Sequence, residues 1–271
     1  MKSMKTFALA FVVVVCLLAC NSSGTAQPTR LYQQMTAAER ANFVSAKAQE
    51  IGRRLSESDY QFTASFETKI QASLDSYVQR LDGRRPGVTS PQVVIERGQS
   101  QAPTIMSTFK TRGVSPLIGL YIPWIESEYN NEASSQMGAV GMFQFLPKTG
   151  SLLGLTSEDL LDVGKSSDAA ARYIANSMKV FGADQMKELL AVLAYNRGDQ
   201  SVRNEVALMV NDKNNGCSIC ALAEQQEKPN QTLSAENVYY VPRFIAAAIL
   251  GENPQAFGLN SPPLSSFGTG H

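Results

Sequence analysis

Apolar positions fall into a helical rhythm along most of this chain. From residue 26 to about 91 they predict two amphipathic helices joined by polar connectors. The first opens with TAAE, Thr36 to Glu39, a capping-box pattern, and sets Val44, Ala48, Ile51 and Leu55 on one stripe. The second carries Phe66, Ile70, Leu74, Tyr77 and Leu81 at similar spacing and stops at Gly83, ahead of RRPG. Both stripes read as packing surface. A second helical block follows RRPGVTSP. There Ser115 and Pro116 form an N-cap and first-turn pair, and LIGLYIPWIE is apolar all round until Glu126, the mark of a buried helix. Pro123 is expected to bend it, with Gly119 taking up the bend. Further helices are predicted near 168–181, 184–195 and 238–250, with a long polar loop around 199–235. No strand pattern is long enough for a sheet, and only GAVGMFQF could supply a short hairpin. The fold class expected is mainly α.

The first residues break this rhythm. MKSMK supplies Lys2 and Lys5, and Phe7 to Ala19 form a 13-residue apolar core, too short for a stable span and suited to a secretory signal over 1–19. LLAC followed by NSSGTAQPT resembles the lipobox of bacterial lipoproteins. That resemblance implies a lipid on Cys20, a linker over 20–35 and, with Asn21 rather than aspartate next, sorting to the outer membrane facing the periplasm. An ordinary signal peptide with a chance cysteine is the alternative.

Composition narrows the partners. In 271 residues, 24 Lys and Arg balance 24 Asp and Glu, so no basic field invites nucleic acid. With Cys16 in the signal and Cys20 lipidated, Cys217 and Cys220 remain in NNGCSICAL. No second CxxC accompanies them and the single histidine is His271, so a metal site is not expected. In an oxidising compartment the pair reads as a local disulfide before it reads as a redox couple.

Glu126 is the candidate for chemistry. A carboxylic acid that gives a proton to a leaving oxygen must be protonated near neutrality, which for glutamate means raising its pKa by roughly two to three, about 3 to 4 kcal/mol. Apolar neighbours favour that, and from Gly113 to Pro147 no lysine or arginine holds the carboxylate ionised. Glu128 is less suited, because two positions along a helix points it to another face. The same pattern also fits a helix that merely ends on a charged residue facing water.

The surrounding motif weighs against that plainer reading. ESEYNNEASSQMGAVGMFQFLPKTG resembles the catalytic segment of the lysozyme-like lytic transglycosylases: Glu126 and Ser127, then Ser135, Gly138, Ala139, Gly141, Gln144, Pro147 and Thr149. AYNRG at Ala194 to Gly198 and ENVYYVP with Glu236, Tyr240, Val241 and Pro242 are similar to two further motifs of the family, with Asn237 where threonine is usual. The likeness runs from about residue 90 to 260 and is of the membrane-bound transglycosylase D type, without lysin-motif repeats. LPKTG spells a sortase signal but lies over a hundred residues from the end of the chain.

The resemblance implies a catalytic domain over 91–260, behind a helical N-terminal region over 36–90 and ahead of a flexible tail over 261–271. It implies cleavage of peptidoglycan between N-acetylmuramic acid and N-acetylglucosamine with formation of a 1,6-anhydro sugar, no cofactor, and no second carboxylate, since the substrate supplies the nucleophile. Glu126 is then the acid and later the base. Tyr195 is implied to hydrogen-bond near Glu126 and the sugar, Tyr240 to line the same groove, Ser135 and Gln144 to hold acetamido or hydroxyl groups of the glycan, Asn196 to bind substrate beside Tyr195, and Ser127 to be an orienting neighbour, since no base stands near that serine. A goose-type muramidase and a non-catalytic wall-binding lipoprotein are the alternatives; Phe143, Arg197 and the loop with Cys217 and Cys220 are the departures that keep the latter open.

Overall fold

The computed structural model describes residues 30–56, 58–84, 86–208, 216–224 and 235–268. The signal segment, Cys20 and His271 lie outside the described residues, as do the side chains of Glu236 and Asn237. Ten α-helices are present among the described residues: α1 Ala37–Leu55, α2 Ala64–Val78, α3 Pro91–Thr111, α4 Pro116–Ser127, α5 Pro147–Leu152, α6 Val163–Val180, α7 Lys187–Arg197, α8 Asp199–Leu208, α9 Ser218–Glu224 and α10 Ala235–Glu252.

The N-terminal helices form where their patterns place them. Thr36 Oγ1 accepts from Glu39 N at 3.3 Å while Glu39 Oε2 accepts from Thr36 N at 2.7 Å, so two otherwise orphaned donors at the start of α1 are satisfied reciprocally. Val44, Ala48, Ile51 and Leu55 are all buried. In α2, Phe66, Ile70, Leu74 and Tyr77 point inward, and the chain turns away at Gly83, whose φ of +63° favours glycine. The inward face of α2 packs chiefly on α10.

Helix α3 opens the helical block expected after RRPGVTSP, where the pattern marks no separate helix ahead of Ser115; Val94, Ile95, Gly98, Ala102, Ile105 and Phe109 make its continuous buried stripe. Its ring at Phe109 explains Gly119 of α4: a Cβ there would lie 2.6 Å from Phe109 Cδ2. Gly119 is thus a notch for a neighbouring helix, a different use from the bend expected of it. Helix α4 is buried from Leu117 to Ile125, as a helix apolar on every face must be.

Two expectations are corrected. The polar stretch around 199–235 is not one loop, because α8 and α9 lie within it; α9 sets Ile219, Leu222 and Ala223 into the core, which gives a short helix its reason to form. Residues 261–268 are not a tail, because Leu264 is fully buried and the turn Leu264–Gly268 packs on α3. The hairpin expected in GAVGMFQF reduces to two isolated antiparallel bridges, Ser134 with Val140 and Val140 with Phe145.

Candidate active site

Glu126 occupies the last turn of α4, half-buried, directly after the fully enclosed run that ends at Ile125. The helix stops because Glu128 and Tyr129 both adopt left-handed conformations, with φ of 53° and 57°. Two such residues in succession cost roughly 1 to 3 kcal/mol each, and they persist because surrounding contacts over-determine them. Glu128 pairs with Arg80, and the Tyr129 hydroxyl donates to the Leu120 carbonyl at 2.5 Å.

Tyr240 of α10 meets Glu126 directly: its hydroxyl donates to Glu126 Oε1 at 2.5 Å. Burial, the charge of Glu126 and this hydrogen bond hold the Tyr240 phenol far above its ordinary value of 10, so it stays a donor. Tyr195, at the end of α7, stands within electrostatic reach of Glu126 and is likewise pushed up, first by burial and then by that carboxylate. Its hydroxyl, however, donates to the Phe143 carbonyl at 2.8 Å and its ring packs on Phe145 and Tyr173. The two tyrosines therefore divide the work: Tyr240 holds the carboxyl, and Tyr195 holds the loop opposite.

That loop, residues 133–145, is built around a glycine. Gly141 has φ +83° and a Cβ there would lie 2.2 Å from the Leu160 carbonyl oxygen, so no other residue fits. Ser127 Oγ donates to the Met142 carbonyl at 2.8 Å and so ties the end of α4 to the loop. Gln144 carries a left-handed φ of 50°, and its amide nitrogen donates to the carbonyls of Ala133 and Gly141 at 3.2 and 2.8 Å. Its hydrogens are thereby fixed on the backbone, and Oε1 is the group left to accept from outside. Ser135 is exposed in the adjoining turn, where its Oγ accepts from Ala139 N at 3.0 Å. Asn196 is exposed beside Tyr195 on the last turn of α7.

The structure thus brings Glu126, Ser127, Gln144, Tyr195 and Tyr240 around one end of α4. Arg243 was missed: one turn after Tyr239 on α10, it donates to the Ile125 carbonyl at 2.9 Å and steadies the residue before Glu126. The only sequence signal for it was its place just after the YVP motif. Cys217 and Cys220 are disulfide-bonded, and Cys220 Sγ accepts from Thr63 N at 3.4 Å, which sets α9 against the start of α2. Among the described residues no group of three or more His, Cys, Asp and Glu is placed to hold a metal ion, and no helix is long and apolar enough to cross a membrane.

Comparison with known proteins places this geometry. Residues 104–215 match the family model of the Transglycosylase SLT domain, a segment that contains Glu126, Ser127, Ser135, Gln144, Tyr195 and Asn196 and ends before Tyr240. The chain is similar to the membrane-bound lytic murein transglycosylase D of Escherichia coli strain K12, 28% identical over 151 residues that cover 54% of this chain and 30% of the relative. It is also similar to the peptidoglycan transglycosylase gp16 of Escherichia phage T7, 34% identical over 97 residues, 34% of this chain and 7% of that protein. The chain therefore spans less than a third of the length of the curated relatives it matches. The mainly helical architecture among the described residues, with two isolated bridges in place of a sheet, agrees with the fold class expected from the sequence.

Proposed function

We propose that this protein is a peptidoglycan lytic transglycosylase, cleaving the β-1,4 bond between N-acetylmuramic acid and N-acetylglucosamine and leaving 1,6-anhydromuramic ends. The observation that carries the reading is a half-buried carboxyl at the end of an apolar helix, gripped on one oxygen by a tyrosine that cannot ionise at working pH.

The reaction runs in two strokes. Glu126 gives its proton to the glycosidic oxygen as the bond from that oxygen to the anomeric carbon breaks. The muramic 6-hydroxyl oxygen then closes on the anomeric carbon and its proton passes to the Glu126 carboxylate, which restores the acid without water. The sugar supplies the nucleophile, so one carboxyl suffices. Gln144 Oε1 is positioned to accept from an acetamido N–H or a hydroxyl of the glycan, and the exposed Ser135 and Asn196 are assigned to the glycan as well. Ser127 acts through the loop, holding Met142 in place.

On the cell scale, the reading includes removal of residues 1–19 and a lipid on Cys20 that holds the enzyme at the outer membrane, facing the periplasm. The Cys217 and Cys220 bridge suits that compartment. The test is digestion of purified peptidoglycan by the mature chain and by Glu126→Gln, with the products weighed. Anhydro ends from the wild type alone are expected. Hydrated, reducible ends would mean a muramidase, and no release from either chain would mean a wall-binding protein; either result overturns the proposal.

A further inference from the structure

Between α2, α4 and α10 lies a concavity of about 480 Å³, lined among others by Tyr77, Arg80, Trp124, Glu128, Tyr239 and Arg243. Its volume is in the range of small-ligand sites. Nothing in the proposed chemistry uses it, and one charged group on its wall lacks a counter-charge.

That group is Arg243. This half-buried guanidinium donates to the Ile125 carbonyl and meets the Tyr77 hydroxyl, yet among the described residues no carboxylate pairs with it. A guanidinium has five donors in a planar fork, and the contacts named leave part of that fork facing the cleft. Behind it lies Trp124, only 1% exposed, whose Nε1–H has no acceptor among the described residues and is closed off from the cleft. Arg80 differs from Arg243. Its Nε donates to the Thr89 carbonyl at 2.9 Å and it is ion-paired with Glu128, so its charge is already matched. The cleft therefore carries one unmatched positive charge, enclosed by the rings of Tyr77 and Tyr239. A carboxylate on a short aliphatic chain meets that description, since the guanidinium fork takes a carboxylate on two parallel hydrogen bonds.

The position of the cleft says which carboxylate. Arg243 holds the carbonyl of Ile125, the residue before Glu126, and Tyr239 precedes Tyr240, the residue that grips Glu126. The cleft thus shares two of its walls, α4 and α10, with the carboxyl site, so a branch of the same substrate is the ligand best placed to enter it. Resting on the function proposed above, we infer that this cleft is a subsite for a carboxylate of the peptide stems carried by the glycan strand, with Arg243 as the recognising charge and α2, from the N-terminal region, as its outer wall.

The test is calorimetric titration of the full mature chain with a soluble acidic stem tripeptide and with the same peptide amidated at its carboxylates. The wild type and Glu126→Gln are expected to bind the acidic form alike. The amidated form, and the acidic form on Arg243→Gln, are expected to bind about tenfold more weakly or worse. Ala72→Trp, at an exposed α2 position that lines the cleft, blocks it while keeping the Arg243 side chain, and the same loss is expected there. No binding to the wild type, or equal binding of acidic and amidated peptides, would overturn the inference, as would binding that both Arg243→Gln and Ala72→Trp leave intact. The two readings fail separately. A wild type that binds the peptide yet makes no anhydro ends sinks the reaction and keeps the cleft, whereas anhydro ends without peptide binding do the reverse.

Discussion

Between Ile125 and Ser127 the chain passes from its dry core to a half-buried carboxyl, and the side chains around that carboxyl set what it can do. Glu126→Gln keeps the shape and an acceptor for Tyr240 but has no acid proton. Anhydro-muropeptide release is expected to fall by about 10² to 10⁴, with a melting temperature close to that of the wild type. Tyr240→Phe removes the donor on Oε1 and leaves the carboxyl to turn. Since hydrogen bonds to charged groups contribute about 1.5 to 3 kcal/mol, kcat is expected to drop by roughly 10- to 100-fold while KM changes little, as steady-state kinetics on soluble glycan fragments can read. The tyrosines also set an alkaline limit. Burial holds Tyr240, Tyr195, Tyr121 and Tyr129 far above 10, and Tyr173 is pushed up to about 12 by burial and then by Asp199. A folded-state value above the unfolded one means the native state keeps its proton when the unfolded chain releases it. This stabilisation is therefore complete below pH 10 and is lost as pH climbs from 10 through the raised values. Thermal melts over that range should show a falling midpoint, with tyrosinate absorbance rising together with unfolding; tyrosines that ionise well before the fold is lost would contradict the burial described.

At the level of elements, what could be read in advance was whatever local rules decide. The TAAE cap located the start of α1, the stripes located α1 and α2, and the unbroken apolar run identified α4 as buried. Where a choice depended on a partner, the sequence was silent. α3 presents a clean stripe that its internal Pro103 helps to obscure, and α9 is too short to be seen except as something the core recruits. The site shows the same division. Glu126, Gln144, Tyr195 and Tyr240 could be named from spacing, but not that Tyr240 rather than Tyr195 would take the carboxyl, nor that Arg243 would brace Ile125, because both depend on how α10 crosses α4. The glycines of the loop separate two effects that a motif merges. Gly138 has φ +80° with open space around it, whereas Gly141 combines φ +83° with a carbonyl 2.2 Å from where a Cβ would be. Gly138→Ala is expected to cost about 1 to 2 kcal/mol for conformation alone. Gly141→Ala adds overpacking of about 1 to 3 kcal/mol and should displace Gln144, so it should lose both melting temperature and activity while Gly138→Ala keeps most of its turnover.

Across the whole molecule, one hydrophobic core runs from Tyr32 to Leu264, so the N-terminal helices and the segment around Glu126 are not separable by burial. Polar contacts cross the same seam. Glu252, 6% exposed at the end of α10, accepts from Arg54 of α1 at 2.6 Å, from Tyr121 of α4 at 2.5 Å and from the Ser265 backbone at 3.1 Å. Tyr60 donates to the buried Glu188 of α7 at 2.7 Å. A buried carboxylate that loses one cation keeps its desolvation and loses its compensation, so the penalty falls on the whole fold. Because the Arg54 side chain is 37% exposed and partly screened, Arg54→Ala is expected to cost about 1 to 3 kcal/mol rather than the full penalty of a buried pair. Adding Glu252→Gln to Arg54→Ala should recover part of that loss, because the stranded charge is then gone, and a double-mutant cycle by chemical denaturation measures the recovery. The reach of the effect matters most. Arg54 lies in a helix that ends well before the transglycosylase-matched segment begins at residue 104, yet through Glu252 and Tyr121 it bears on the helix that presents Glu126. If the N-terminal region is part of one folding unit, Arg54→Ala must lower the midpoint of a single cooperative transition followed by both tryptophan fluorescence, which reports Trp124 in α4, and far-ultraviolet dichroism. Two separate transitions, with the fluorescence step unmoved, would instead make residues 36–90 an appendage, and α2 could not then serve as a fixed wall for anything bound beside the carboxyl.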